Sequence, residues 1–253
     1  MDIEDRFGDY DDARSVRERY AEQGYAIVRG AVSAERVADL RRHCDATIAA
    51  HPGLGYAQIH AKPLWFEDPF YVNIARETAL VRTAQAILGP DLALFAAGYI
   101  VKEPRGEMEI LWHQDGSYWP LDPMEVCTLW LAITESDPGN GCMRVIPGTQ
   151  HMDLQALRDR GDRPNLLQSS IDETLVDETK AVDLVLAPGD VSLHHPNIVH
   201  GSNANHSDRW RINLVIRVIA ATTKVTAPDW PGVFPLAGTL RDDVNTNLPD
   251  PTG

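Results

Sequence analysis

From residue 91 onward the chain is a series of short β-branched and aromatic segments cut by glycine and proline turns. That pattern limits the fold more than any other feature. Segments 92–101, 125–134, 182–187, 190–195 and 210–220 are apolar or β-branched runs. Between them stand Asp137-Pro138-Gly139-Asn140-Gly141, Pro147-Gly148 and Pro188-Gly189-Asp190, residues that preset turn dihedrals or tolerate positive φ. Short strands separated by such turns build a sandwich or jelly roll, not a parallel sheet.

The first ninety residues read differently. Residues 12–23 are rich in Arg, Glu and Ala and stop before Gly24, which predicts a helix. Residues 24–30 read as a short strand between glycines. Ser33 is a plausible N-cap with Glu35 in the first turn, and Val37, Leu40, Cys44 and Ile48 follow at helical spacing. A further helix is expected from about Glu77 to Leu88, stopped by Gly89-Pro90. Residues 153–180 are polar and read as a long insertion. Residues 226–253 carry five prolines and read as a tail. The expected fold class is mainly β with flanking helices: one domain over 1–253, with helical support over about 1–90, a core over about 91–225 and the tail 226–253.

Composition narrows the function. Hydrophobic residues are 43% and charged residues 24% of the 253, ordinary for a folded chain, and no apolar run is long enough to span a membrane. The opening Met1-Asp2-Ile3-Glu4-Asp5 is acidic where a signal peptide is basic and then apolar, so a cytoplasmic location is expected. Lys plus Arg is 23 against 37 Asp plus Glu, a net charge of −14, which argues against nucleic-acid and anionic-membrane partners. Cys44, Cys127 and Cys142 form no CxxC pair, so thiolate-bound zinc is unsupported.

The histidines carry the chemistry. In His113-Gln114-Asp115 an imidazole and a carboxylate stand at i and i+2, which share one face of a strand. A further histidine from a neighbouring strand would complete two nitrogens and one oxygen, the facial triad of non-haem Fe(II). The triplet alone is weak, since a hydrogen-bonded pair on a surface turn looks the same. Downstream, His194, His195 and His200 offer candidates for the third ligand. Arg211, eleven residues past His200, lies in a strand-like run and could clamp a carboxylate bidentately; Arg209 and Arg217 are its rivals. Trp112, Trp119 and Trp130 read equally as core.

Taken together and in order, these segments resemble the phytanoyl-CoA dioxygenase family of Fe(II)- and 2-oxoglutarate-dependent oxygenases. The resemblance rests on Trp112-His113-Gln114-Asp115, Tyr118-Trp119-Pro120-Leu121, Trp130-Leu131-Ala132, Asn140-Gly141-Cys142-Met143, Ile146-Pro147-Gly148-Thr149-Gln150-His151, Pro188-Gly189-Asp190, His200-Gly201-Ser202, Asn205 and Arg211. It implies a double-stranded β-helix, a cupin-like jelly roll. It implies that His113, Asp115 and His200 ligate iron, that Arg211 holds the distal carboxylate of 2-oxoglutarate, and that Gln114, Trp130 and Ser202 line the cosubstrate. The His-Gly-Ser sequence and the spacing to Arg211 favour His200 over His195.

The activity implied is oxidation of an unactivated C–H bond by O2, with succinate and CO2 formed from 2-oxoglutarate. Family members that halogenate lack the carboxylate; Asp115 therefore favours hydroxylation, with desaturation or ring formation using the same residues. The rivals are a cupin-like metalloenzyme without 2-oxoglutarate and a non-catalytic jelly roll that binds a metabolite. The expected substrate is a small metabolite or natural-product intermediate, met by the 56–72 segment, the residues around Tyr118, the 153–180 insertion and the tail as a further candidate. Gln58, His60, Lys62 and Trp65 are candidate rim groups. The 56–72 segment holds no basic cluster for the phosphates of an acyl-CoA.

Overall fold

The computed structural model describes residues 13–162 and 164–252; the acidic opening residues lie outside them. Helix α1 (Ala13–Gln23) leads into strand β1 (Tyr25–Val28), followed by α2 (Ala34–Ala49), α3 (Tyr56–His60), α4 (Pro69–Ala75) and α5 (Thr78–Leu88). The strands continue as β2 (Leu92–Lys102), β3 (Ile110–His113), β4 (Leu121–Asp122), β5 (Val126–Ala132) and β6 (Arg144–Val145). After these come β7 (Arg158–Asp159), β8 (Ser169–Ser170), β9 (Val182–Asp183), β10 (Val191–His194) and β11 (His200–Ser202). The chain closes with β12 (Arg211–Ala220), β13 (Lys224–Val225) and β14 (Phe234–Ala237).

The helix ends follow local chemistry. Ser33 caps α2 by accepting from the Arg36 amide, and Gly89 ends α5 at φ +91°. A helix start leaves unpaired N–H groups and a helix end unpaired carbonyls, so a hydroxyl belongs at the first and a flexible residue at the second.

Two antiparallel sheets face each other as a jelly roll. The larger has the order β1-β10-β5-β12-β2-β14, the smaller β3-β11-β6-β9. Alternation along each strand sorts the side chains. Leu129, Leu131, Leu193, Leu214 and Ile216 point outward from the barrel and pack against Leu40, Tyr71, Ile74 and Leu80 of the helices. Trp130, Ala132 and Val215 point inward, against Ile110, Met143 and Val145 of the smaller sheet. Burying a large apolar side chain contributes about 1.5–3 kcal/mol, so the outer layer anchors the helices while the inner face is left for chemistry. Asp190 ties the layers at the Pro-Gly-Asp turn, accepting from the amides of Gly30 and Ala187 and from Arg29.

The C-terminal segment is more than a draped tail. Strand β14 pairs with β2 and extends the larger sheet, and Trp230 stacks on Phe95 at 4.7 Å. The prolines concealed this because an edge strand needs only one hydrogen-bonded side. The 182–187 segment is a strand only over Val182–Asp183, with a single bridge from Leu186 to Ser136. The 153–180 insertion holds the β7–β8 hairpin and two 3-10 turns. Among the described residues, no helix is long and apolar enough to cross a membrane.

Candidate active site

The cluster at the barrel's centre is set by two backbone devices. His113 ends β3, and Asp115 opens a 3-10 turn over Asp115–Tyr118. The pair therefore converges at a strand exit rather than on the face of one continuous strand. His200 opens β11 and stands directly across from His113 in the ladder. The residue after it has to be glycine: a Cβ at Gly201 would sit 2.7 Å from the Ile110 carbonyl oxygen, closer than any side chain tolerates. The His-Gly-Ser sequence is thus the condition for β11 to approach β3.

His113, Asp115 and His200 are buried, and one potential ligand atom from each lies within 4.8 Å of the others. His113 donates from Nδ1 to the Leu111 carbonyl at 2.8 Å, and His200 from Nδ1 to the Ile198 carbonyl at 3.0 Å. Each bond fixes the tautomer that turns an unprotonated Nε2 inward. Those Nε2 atoms lie 3.5 Å and 3.9 Å from Asp115 Oδ1. Burial pushes the pKa of His200 well below the ordinary histidine range, aided by His113, so its ring is neutral as a metal ligand must be. Burial opposes the charge on Asp115, yet its carboxyl is held well below the usual range, with the nearby Arg217 charge favouring the ionised form. Two imidazoles and one carboxylate on one face form the donor set of non-haem iron.

A fourth imidazole stands beside them. His194 Nε2 lies 3.5 Å from Asp115 Oδ2, and the Thr128 hydroxyl donates to the same oxygen at 3.4 Å. One carboxylate oxygen thus faces the ligand pair while the other is held from behind. His195 is directed elsewhere, with Nδ1 accepting from the Asn197 amide and its ring tilted against Tyr20.

Beyond the cluster lies a pair of buried cations. Arg211 is fully buried, bonds only Asn213 Oδ1 at 3.2 Å, stacks over Trp130 at 5.4 Å, and leaves Nε and Nη2 without partners. Burial lowers its pKa to about 10. Directly opposite it in the ladder is Lys102, 4% exposed, whose ammonium donates to Ser202 Oγ at 2.7 Å and to the carbonyls of Ser202 and Asn203. Burial and then Arg211 push the Lys102 pKa well down. Like charges facing across a ladder repel, and no carboxylate bonds either of them among the described residues. The orphaned indole N–H of Trp130 is close by. This arrangement fits a carboxylate guest.

Sequence reasoning passed over Lys102, although it is the one charge terminating an otherwise apolar strand. The structure separates Gln114 from the cosubstrate group. Its amide donates to the Asn197 carbonyl at 2.8 Å and accepts from the Gln155 amide at 2.8 Å, because the residue between two inward side chains points outward. Gln114 braces loops; it does not line the cavity. The cavity is open to solvent and is lined by the triad together with Trp130, Ser202, His194 and Thr128. His60 from α3, Leu166 and Leu167 from the insertion, and Arg217 also line it. Of the other rim candidates, Lys62 is exposed, Trp65 is core, and the side chain of Gln58 lies outside those described. All three cysteines are free and buried.

A jelly roll carrying this donor set and this cation pair has donors that fit iron and cations that fit a carboxylate guest. Comparison with known proteins gives the family. The phytanoyl-CoA dioxygenase (PhyH) family matches residues 20–213, and the chain belongs to it. A probable alpha-ketoglutarate-dependent hypophosphite dioxygenase of Stutzerimonas stutzeri is 28% identical over 151 residues, 59% of this chain and 52% of that protein. The ectoine dioxygenase of Sphingopyxis alaskensis is 24% identical over 229 residues, 81% of this chain and 75% of that one. The chain thus spans about half to three-quarters of the length of these curated relatives. Among solved structures, the non-heme monooxygenase ThoJ superposes with a TM-score of 0.71 at 26% identity, covering 92% of this chain and 86% of ThoJ. The epimerase SnoN, solved with Fe3+, alpha ketoglutarate and nogalamycin RO, shares the fold at a TM-score of 0.69 and 22% identity, covering 85% and 86%.

Proposed function

We propose that this protein hydroxylates an unactivated C–H bond of a small metabolite or natural-product intermediate, with succinate and CO2 as coproducts. In this reading His113 Nε2, His200 Nε2 and Asp115 Oδ1 hold Fe(II), and Arg211, Lys102, Ser202 and Trp130 hold 2-oxoglutarate. The observation that carries it is a buried triad whose cavity wall includes Trp130 and Ser202, the two residues that Arg211 and Lys102 respectively touch from behind. When bound, iron supplies the two-electron oxidation that couples O2 and 2-oxoglutarate to the substrate.

The protein's own contribution is placement and exclusion. Arg211 offers a planar fork and Lys102 a point charge, so a distal carboxylate is fixed in position and direction. The Ser202 hydroxyl, already accepting from Lys102, keeps a proton to donate to the same guest. Trp130, Val215 and Ile100 form an apolar wall that keeps water from that end of the barrel. His194 and Thr128 hold Oδ2 of Asp115 so that Oδ1 stays aimed at the imidazoles. A carboxylate at position 115 fills the place that a halogenase leaves open, which favours hydroxylation.

The experiment is anaerobic titration of the Fe(II) protein with 2-oxoglutarate, followed by succinate measurement on admitting O2. A charge-transfer band that appears only with both components, and succinate above the metal-free control, is the expected result. A protein that binds iron but develops no such band is a cupin-like enzyme or a binding module, and the oxygenase reading then fails.

A further inference from the structure

Arg217 is a further cation in the triad's cavity, with Asp115 the one carboxylate whose charge acts on it. It lies six residues past Arg211 on β12. The even spacing keeps both on the interior face, with their Cα atoms about 20 Å apart along the strand at roughly 3.3 Å per residue. Its ladder partner is Thr128, whose hydroxyl bonds Asp115, so Arg217 sits at the level of the triad rather than of the cosubstrate cations. It lines the same cavity. Its guanidinium lies 5.4 Å over the Trp119 ring, and its Nε is buried without a partner. Among the described residues no hydrogen bond or ion pair reaches this side chain.

Three neighbours sharpen the reading. Asp115 is the carboxylate beside it, but its oxygens face His113, His200, His194 and Thr128. The strand alongside is deformed: the partner of Arg217 on β2 is Ala96, while that of Val218 is Leu94, so Phe95 is left over in a bulge. A bulge of this kind re-aims side chains and is common beside active sites. His60 offers no negative charge. Its Nδ1 meets the Tyr99 carbonyl at 3.1 Å, which leaves Nε2 as an uncharged acceptor toward the cavity.

A guanidinium stays charged, and withdrawing a charge from water is costly unless it is paired. We propose that Arg217 anchors the substrate by taking its carboxylate, so that the substrate class is small carboxylic acids. This rests on the oxygenase reading above. A carboxylate matches the fork bidentately, and the flat Trp119 ring beneath fixes the plane in which it docks. A phosphate dianion is disfavoured, because the neutral His60 and the anionic Asp115 supply no second cation. Anchoring at Arg217 sets how far the reactive carbon reaches toward the triad, and hence which C–H bond is oxidised.

The test uses the anaerobic Fe(II) protein saturated with 2-oxoglutarate, so that the Arg211 end is filled. The probes are two matched pairs, hexanoate with hexanamide and phenylacetate with phenylacetamide, read by the charge-transfer band and by tryptophan fluorescence. The expected result is that the acid of at least one pair binds the parent about tenfold or more tighter than its amide, the scale of one charge-assisted contact. Arg217→Gln should erase that preference and Arg217→Lys, which keeps the charge beside Asp115, should keep part of it while still binding Fe(II) and 2-oxoglutarate. The proposal is overturned if no acid outbinds its amide in the parent, or if the preference survives in Arg217→Gln. It is equally overturned if the charge-conserving Arg217→Lys loosens Fe(II), which would make the guanidinium a structural support for Asp115. Should the parent fail to form the 2-oxoglutarate band before any probe is added, the oxygenase reading is what has failed.

Discussion

Replacing Arg211 with methionine should make the ligand-free protein more stable while destroying its grip on 2-oxoglutarate, two effects of opposite sign from one substitution. Arg211 is fully buried beside Lys102 with two nitrogens unpartnered. Burial lowers its pKa from the ordinary arginine value to about 10, a bias of about 3 kcal/mol against the charged form at roughly 1.4 kcal/mol per tenfold. This penalty is present at every pH below about 10, so it weighs on the ligand-free fold at neutral pH. Methionine removes it but forfeits the Asn213 bond and some stacking on Trp130, a loss of about 1–2 kcal/mol. A net gain of about 1–2 kcal/mol should raise Tm by a few degrees, since 1 kcal/mol moves Tm about 2–4 °C at this size.

The cosubstrate side runs the other way. Losing one partner of a buried charged pair costs about 2–5 kcal/mol, a 30-fold to several-thousand-fold rise in Kd. At 2-oxoglutarate equal to 100 times the parent's Kd, binding stabilises the parent by about 2.7 kcal/mol. The same concentration should stabilise Arg211→Met by less than about 1 kcal/mol. The assay is thermal unfolding of the anaerobic Fe(II) protein with and without 2-oxoglutarate. Should Arg211→Met keep the ligand-induced rise, the clamp lies elsewhere. Should the ligand-free variant lose several degrees instead of gaining, the charge was already neutralised and the account of this end of the barrel is wrong.

Other perturbations separate the remaining roles. His113→Ala and His200→Ala should each lose most iron by metal analysis, because one of three direct donors is gone, whereas His195→Ala should retain it; the reverse pattern for His200 and His195 would reassign the ligand. Asp115→Ala should abolish product formation in a coupled succinate assay, and full hydroxylase activity there would contradict the facial triad. Lys102→Met should raise the apparent KM for 2-oxoglutarate by about tenfold or more while leaving iron binding intact, an effect absent if Lys102 only braces the Ser202 loop. Gly201→Ala should loosen β11 from β3 and lower both Tm and iron affinity; unchanged iron binding would show that the approach to Ile110 is not needed. His60 gives a pH signature. Burial, with Arg217 adding to it, lowers its pKa from 6.5 to about 4, so the neutral ring's contribution is intact above about pH 6.5 and fades toward pH 4. At most about 3 kcal/mol is involved, and His60→Gln should flatten that limb of the stability–pH curve measured by denaturant unfolding.

The sequence by itself determined the local elements and the chemical inventory. β-Branched and apolar runs cut by Gly/Pro turns announce β5, β10 and β12, and Ser33 and Gly89 mark helix ends, because these signals act over a few residues of chain. His113, Asp115, His200 and Arg211 were legible as candidates through their order and spacing. What those residues face was decided by tertiary structure. Gln114 turns outward to the 153–155 and 197 loops because the side chains flanking it turn in. Lys102 meets Ser202 across a separation of 100 residues, and the ladder sets it opposite Arg211. His194 comes to Asp115 only because β10 pairs with β5 and brings His194 alongside Thr128. Strand β14 joins the sheet because the edge of β2 was left open to it, something no pattern within 226–253 encodes. Sheet register between distant segments is fixed by which faces are buried together, and that sum over the whole fold is what turns Arg217 inward beside the triad.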